Sequence, residues 1–141
     1  MHAFGSILLT STGLMESVVL DRFKKIIAEK CLKKAIIITT ATRGKKQIEK
    51  AQHAFLFLKG LNLESVQFHD FENDPVTNLT SANIFYVCGG NTFKLLKFAR
   101  QCNFQDYVET LLRNDGVYIG VSAGSIILAP SVQIVLEINP D

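Results

Sequence analysis

Cysteine is scarce in this chain: Cys31, Cys88 and Cys102 are the only ones. An odd number with no CxxC spacing excludes a disulfide framework and offers no zinc site, so a reducing, cytoplasmic setting is expected. An excess of one charge is missing as well. The 15 Lys and Arg against 13 Asp and Glu leave a formal net charge of +2, mixed along the chain. Such a balance provides no electrostatic footprint for nucleic acid or an anionic membrane. The densest basic cluster, Arg43, Lys45 and Lys46, reads as a solvated helix end. Only residues 116–136 run without a charge for about the length that spans a bilayer. Gly116, Gly120, Gly124, Pro130 and the polar Ser122, Ser125, Ser131 and Gln133 divide that run, which suits a buried strand, turn and helix better than a membrane span. The opening Met1-His2-Ala3-Phe4-Gly5 lacks the basic n-region of a secretory signal. With no linker, repeat or low-complexity segment, 141 residues at 48% hydrophobic content read as one domain over 1–141.

Short β-branched runs alternate with amphipathic segments. Ile7-Leu8-Leu9-Thr10 reads as a strand, and over residues 15–31 Val18, Val19, Phe23, Ile26 and Ile27 recur at helical spacing. The apolar strand Ala35-Ile36-Ile37-Ile38-Thr39-Thr40 precedes a second amphipathic helix over 45–59, closed by Gly60. Val66-Gln67-Phe68-His69 is a shorter strand. Ile84-Phe85-Tyr86-Val87-Cys88 is a buried one, followed by Gly89-Gly90-Asn91 and helices over 92–100 and 104–113. Val117-Tyr118-Ile119-Gly120-Val121 is the last clear strand, and Ser125 to Leu128 reads as a helical turn. Strands that are apolar on both faces and joined through helices imply an α/β three-layer sandwich, a mostly parallel sheet flanked by helices. Ligands in such sheets gather at the carboxyl ends of the strands. Four loops qualify: those beginning at Thr10, Thr39, Cys88 and Gly120.

The last loop, Gly120-Val121-Ser122-Ala123-Gly124, matches G-x-S-x-G between a buried strand and an apolar helical turn. A serine on so sharp a turn needs small neighbours if its hydroxyl is to stand clear. The N-H of Ala123 then points where an oxyanion would form. Ser122 is therefore the candidate nucleophile; a small-residue turn packing a helix on a sheet is the plainer alternative. Gly89-Gly90 brings unblocked N-H donors close to a neighbouring group, as an oxyanion hole requires, while Asn91 also suits the N-cap of the next helix. Cys88, a rival nucleophile, fits better as a small buried hydrophobe, and Tyr118 and Phe85 belong to the core.

In this order and spacing, Tyr86-Val87-Cys88-Gly89-Gly90-Asn91-Thr92-Phe93-Lys94-Leu95-Leu96 and Tyr118-Ile119-Gly120-Val121-Ser122-Ala123-Gly124-Ser125 resemble the two signature blocks of the peptidase E (aspartyl dipeptidase) and cyanophycinase family of serine peptidases. A weaker likeness reaches back to Ile7-Leu8-Leu9-Thr10-Ser11. The resemblance implies a class I glutamine amidotransferase-like (flavodoxin-like) sheet and hydrolysis of short peptides through a Ser-His-Asp/Glu triad, with no metal or cofactor. Carried over, Ser122 is the nucleophile, Gly89 and Ala123 form the oxyanion hole, and Gly90 and Asn91 contact the substrate. Glu137 matches the acidic member, with Asp141 as the alternative. A homodimer is an open expectation, since dimers are common among such hydrolases.

One departure stands out. The family's general base is a histidine beyond the acidic residue, and no histidine follows His69 here. A serine hydroxyl is a poor nucleophile without a base, so the single domain over 1–141 is expected to lack its C-terminal portion, and little or no turnover is expected of these 141 residues. His2 lies at the terminus, His53 on the exposed side of a helix, and His69 at a strand end beside Asp70, where a structural hydrogen-bonding role is expected. A non-catalytic relative or binding module that keeps the elbow as scaffold is the alternative function. A nucleotide-binding domain would need a phosphate loop, and Thr40-Ala41-Thr42-Arg43-Gly44 lacks the spacing.

Overall fold

All five expected strands form in the computed structural model, which describes residues 4–128. They are β1 (Ser6–Thr10), β2 (Lys34–Ile38), β3 (Ser65–His69), β4 (Ile84–Val87) and β5 (Val117–Val121). The helices are α1 (Ser17–Lys30), α2 (Gly44–Lys59), α3 (Thr92–Gln101), α4 (Phe104–Arg113) and α5 (Ala123–Ile126), with short 3-10 turns at Gly13–Met15 and Val76–Leu79. The strands make one sheet in the order β1-β5-β4-β2-β3, every neighbouring pair parallel. Parallel neighbours need crossover connections. Those connections supply the two helical layers.

Alternation along the strands decides which residue meets which layer. On one face, Ala35, Ile37, Ile84, Tyr86, Val117 and Ile119 pack under Phe23 and Ile26 of α1 and Ala51, Ala54 and Leu58 of α2. On the other, Ile36, Ile38, Phe85, Val87 and Tyr118 pack under Leu95 and Ala99 of α3 and Phe104, Val108 and Leu111 of α4. Phe85 and Tyr118 are fully buried, as expected of core residues. The three-layer α/β architecture read from the sequence is therefore the fold.

Three details differ. Burial on both faces holds for the inner strands β2, β4 and β5, whereas the edge strand β1 leaves Ile7 and Leu9 about half exposed. The other edge, β3, likewise exposes Phe68. Edge strands lie beyond the reach of one helical layer, so alternation shows through there. Thr39 and Thr40 leave the sheet after Ile38 because the Thr40 hydroxyl donates to Asp70 at 3.0 Å and accepts from the Phe71 N-H at 2.9 Å. The helical turn after β5 begins at Ala123, two residues earlier than its apolar pattern suggests. No helix among the described residues is long and apolar enough to cross a membrane.

With β1, β5 and β4 side by side and parallel, the loops at their carboxyl ends converge on one side of the sheet. The candidate site lies there.

Candidate active site

At the end of β5 the chain reverses at Ser122, whose φ of 51° and ψ of −105° lie where L-residues rarely go. Such a conformation costs of order 1–3 kcal/mol and persists only where its surroundings impose it. The flanking glycines are part of that constraint. A Cβ on Gly120 would come within 2.7 Å of the Gly124 carbonyl oxygen and the Ser125 nitrogen, and one on Gly124 would run into the Val87 carbonyl of β4. The buried Tyr118 hydroxyl donates to the Gly124 carbonyl at 2.6 Å, tying β5 to the helix it feeds. Ser125 and Ile126 close the first turn through N-H bonds to the Ser122 carbonyl at 2.8 and 3.0 Å. Ser122 itself stays exposed.

The Gly89-Gly90-Asn91 loop at the end of β4 packs directly against this elbow. A Cβ on Gly89 would lie 3.2 Å from the Ser122 Cβ and 3.1 Å from the Val121 oxygen. Gly90, at φ 141°, sits against the Ala41 carbonyl, which accepts the Asn91 N-H at 2.8 Å. The Asn91 side chain accepts from the Lys94 N-H at 3.0 Å and caps α3, as expected.

Ser122 opens into a cavity of about 550 Å³. Ser11 and Thr12 line one side, and Leu14 and Met15 of the 3-10 turn extend it. Tyr86, Cys88, Gly89, Gly90 and Val121 form the floor beneath Ser122, while α2 contributes a wall of Gln47, Lys50, Ala51, His53, Ala54 and Phe57. The floor is uncharged at neutral pH. Burial raises the Cys88 thiol to about 12. Burial and the neighbouring Cys88 raise the Tyr86 hydroxyl to about 12, against the pull of a hydrogen bond from the Leu14 backbone. Among the described lining residues the basic side chains are Lys50 and His53, with no carboxylate. No three His, Cys, Asp or Glu side chains among the described residues gather as a metal site would require.

The family model for peptidase family S51 matches residues 7–137, nearly the whole chain and both glycine loops. The chain belongs to peptidase family S51. Peptidase E of Escherichia coli O1:K1 is 37% identical over 60 residues, which are 43% of this chain and 26% of that protein. Peptidase E of Shigella boydii serotype 18 matches to the same extent. The matched stretch thus spans about a quarter of the length of these relatives. In the fold, this S51 chain is similar to a candidate peptidase E protein from Listeria monocytogenes EGD-e, with a TM-score of 0.75 at 23% identity over 96% of this chain and 67% of the other. A peptidase from an acI-B1 Actinobacterium gives a TM-score of 0.70 at 22% identity, over 90% of this chain and 57% of the other.

Of the residues singled out from the sequence, Ser122, Ala123, Gly89, Gly90 and Asn91 lie together in the S51 chain at adjoining strand ends. Glu137, Asp141 and His2 lie outside the described residues. His53 is exposed, as expected, but its side of α2 faces the cavity. His69 is corrected. Instead of a hydrogen-bonded strand-end residue it is a fully buried ring whose two nitrogens have no partner among the described residues, packed edge-on to Phe71 at 5.7 Å. Burial lowers its pKa, with Asp74 and Asp70 pulling the other way. Asp70 is spent on its own loop. Partial burial would raise its pKa, yet hydrogen bonds from the Glu72 N-H, Asn73 and Thr40, with the charge of Lys94, hold it below the ordinary carboxylate value.

The loop beginning at Thr39 does not line the cavity; it supports the Gly90 turn through Ala41 and starts α2. The residues missed from sequence are those on α2. Gln47, Lys50, Ala54 and Phe57 fall at intervals of three and four, a helical stripe that could have been read as a face following a strand-end loop.

Proposed function

We propose that the chain is the elbow-bearing part of a serine peptidase acting on short peptides, with Ser122 as nucleophile. The observation that carries the reading is the contact of Gly89 with Ser122, which brings a glycine loop and a strained serine to one point. Ser122 Oγ attacks the scissile carbonyl, and the oxygen that gains charge is met by the N-H groups of Gly89 and Ala123. Each donor of this kind is worth about 10²–10³ in rate. Gly90 presents backbone to the peptide, whereas Asn91 lies outside the cavity lining, its N-H held by the Ala41 carbonyl and its side chain by the α3 cap; a cavity of about 550 Å³ suits a ligand of a few residues. Glu137, with Asp141 as its rival, is the acidic member.

The proton of Ser122 needs an acceptor, and the residues after Ser122 include no histidine. For this chain we therefore expect slow turnover or none, rising when imidazole is added as a free base. A second reading rests on the same geometry: a non-catalytic binding module that retains the elbow as scaffold beside the cavity. A panel of dipeptides, with released amino acids measured for the parent and Ser122→Ala, separates the two. Hydrolysis raised by imidazole and lost in Ser122→Ala supports the peptidase. Dipeptide binding without hydrolysis at any imidazole concentration supports the module, and hydrolysis that survives Ser122→Ala removes Ser122 from its role.

A further inference from the structure

The conformation of Ser122 must be imposed by its neighbours, and the hydrogen bonds that do so meet at Thr10, the last residue of β1. The Thr10 carbonyl accepts the Ser122 N-H at 2.9 Å and the Ser125 hydroxyl at 2.9 Å. The Thr10 N-H donates to that same Ser125 hydroxyl at 3.0 Å. The Thr10 hydroxyl donates to the Gly120 carbonyl at 2.8 Å and accepts the Gly13 N-H at 2.8 Å. Each hydroxyl is thus used once as donor and once as acceptor, within its capacity. Ser125 joins the elbow helix to β1, and Thr10 joins the elbow to the turn carrying Ser11 and Thr12. Neither Thr10 nor Ser125 lines the cavity.

We infer that Thr10 and Ser125 are positioning residues: the Ser125 hydroxyl on the Thr10 main chain and the Thr10 hydroxyl on the Gly120 carbonyl hold Ser122 in its reactive conformation, and Thr10 also locks the Ser11-Thr12 wall to the nucleophile. The inference rests on Ser122 being the nucleophile. It distinguishes the two residues by what each one holds. Ser125 fixes the elbow alone, so losing its hydroxyl slows reaction at Ser122 and leaves reagent binding unchanged. Thr10 fixes elbow and wall together, so losing its hydroxyl slows reaction and weakens binding as well. Misplacing a reacting group by about 1 Å can cost about a hundredfold in rate.

The test uses the 141-residue chain with Ser125→Ala, Ser125→Thr and Thr10→Val, and takes two readouts. The first is the rate of fluorophosphonate labelling at Ser122, with imidazole present, over a range of reagent concentrations. The second is amide exchange at Ser122, with Ile37 in the inner strand β2 as internal control. The expected result for Ser125→Ala is labelling about ten- to a hundredfold slower at saturation with an unchanged half-saturating concentration. Its Ser122 amide should exchange about tenfold faster while Ile37 stays unchanged. Ser125→Thr should restore most of the rate, and Thr10→Val should also raise the half-saturating concentration. Labelling and exchange in Ser125→Ala equal to the parent would overturn the inference. So would equal acceleration of Ile37 and Ser122 exchange, which marks general destabilisation. Should the parent fail to label at Ser122, the nucleophile reading falls and with it the functional part of the inference; selective exchange at Ser122 would then support only the clasp itself.

Discussion

Two sides of one cavity are built from different materials. Toward β4 and β5 the main chain around Ser122 is tightly packed: Gly89 and Gly90 in the lining, beside Tyr86 and Cys88, and Gly124 behind the elbow leave almost no space for a methyl group. Toward α2 the cavity is bounded by the long side chains of Gln47, Lys50, His53 and Phe57. Main chain cannot be exchanged by substitution, so under the proposed function the reaction common to many substrates would fall to the first side. Side chains on a helix face can change without disturbing the fold, so the choice of substrate belongs on the second. Substitutions should be poorly tolerated on the first side and should tune binding on the second.

The largest effect should come from Gly124→Ala. Its Cβ meets the Val87 carbonyl of the adjacent strand, with no flexible side-chain end to give way. We expect a loss of about 3 kcal/mol in urea unfolding, at the upper end for an overpacked site; a midpoint equal to the parent's would break the claim that this side is rigid. Tyr118→Phe is next. It leaves the buried end of the Gly124 carbonyl without its 2.6 Å donor, at a cost of about 1–3 kcal/mol by the same measurement.

A pH series sharpens the comparison with a region remote from the cavity, the end of β3. The folded pKa of His69 lies below the 6.5 of a free histidine because of burial. Below that value the unfolded chain takes up a proton that the folded chain refuses. Stability from this residue is therefore complete above pH 6.5 and falls as the pH is lowered from there toward the folded pKa. His69→Leu should flatten the dependence of Tm on pH in that window, and an unchanged slope would contradict the buried, unpartnered ring.

The smallest effect on stability should be that of Lys50→Ala, within about 0.5 kcal/mol as for an ordinary surface position. Its effect on binding should be the larger one. In a Ser122→Ala background, calorimetric affinity for a dipeptide with a free carboxylate should fall severalfold, because Lys50 faces a cavity whose described lining holds no carboxylate. An unchanged affinity would place recognition elsewhere than on α2.

The elbow side was legible in the sequence as backbone shape because its requirements are local. A strand, a glycine pair and G-x-S-x-G each dictate backbone shape within a few residues, so Gly89 and Ser122 could be named before their contact was seen. The α2 side was not legible, because Lys50 and His53 look like any solvated residues of an amphipathic helix until the fold shows which loops stand opposite. Thr10 was visible only as a strand end; its bonds to Ser125 and Gly13 depend on a sheet order, β1 beside β5, that no local pattern encodes. His69 failed for a related reason. Proximity to Asp70 in sequence suggested a hydrogen bond, whereas Asp70 turns to Thr40, Glu72 and Asn73. The edge position of β1 was not legible either: Ser6, Leu8 and Thr10 are the more buried residues and Ile7 and Leu9 the exposed ones, an alternation that the apolar run Ile7-Leu8-Leu9 does not show.

The central claim is that Ser122, held beside Gly89, is the reactive group of this S51 chain. Fluorophosphonate treatment with and without imidazole, followed by peptide mass mapping, addresses it most directly. The expected result is a single adduct on Ser122, formed faster with imidazole and absent from Ser122→Ala. An adduct on Ser11 or Ser125, or none at any imidazole concentration, would contradict it.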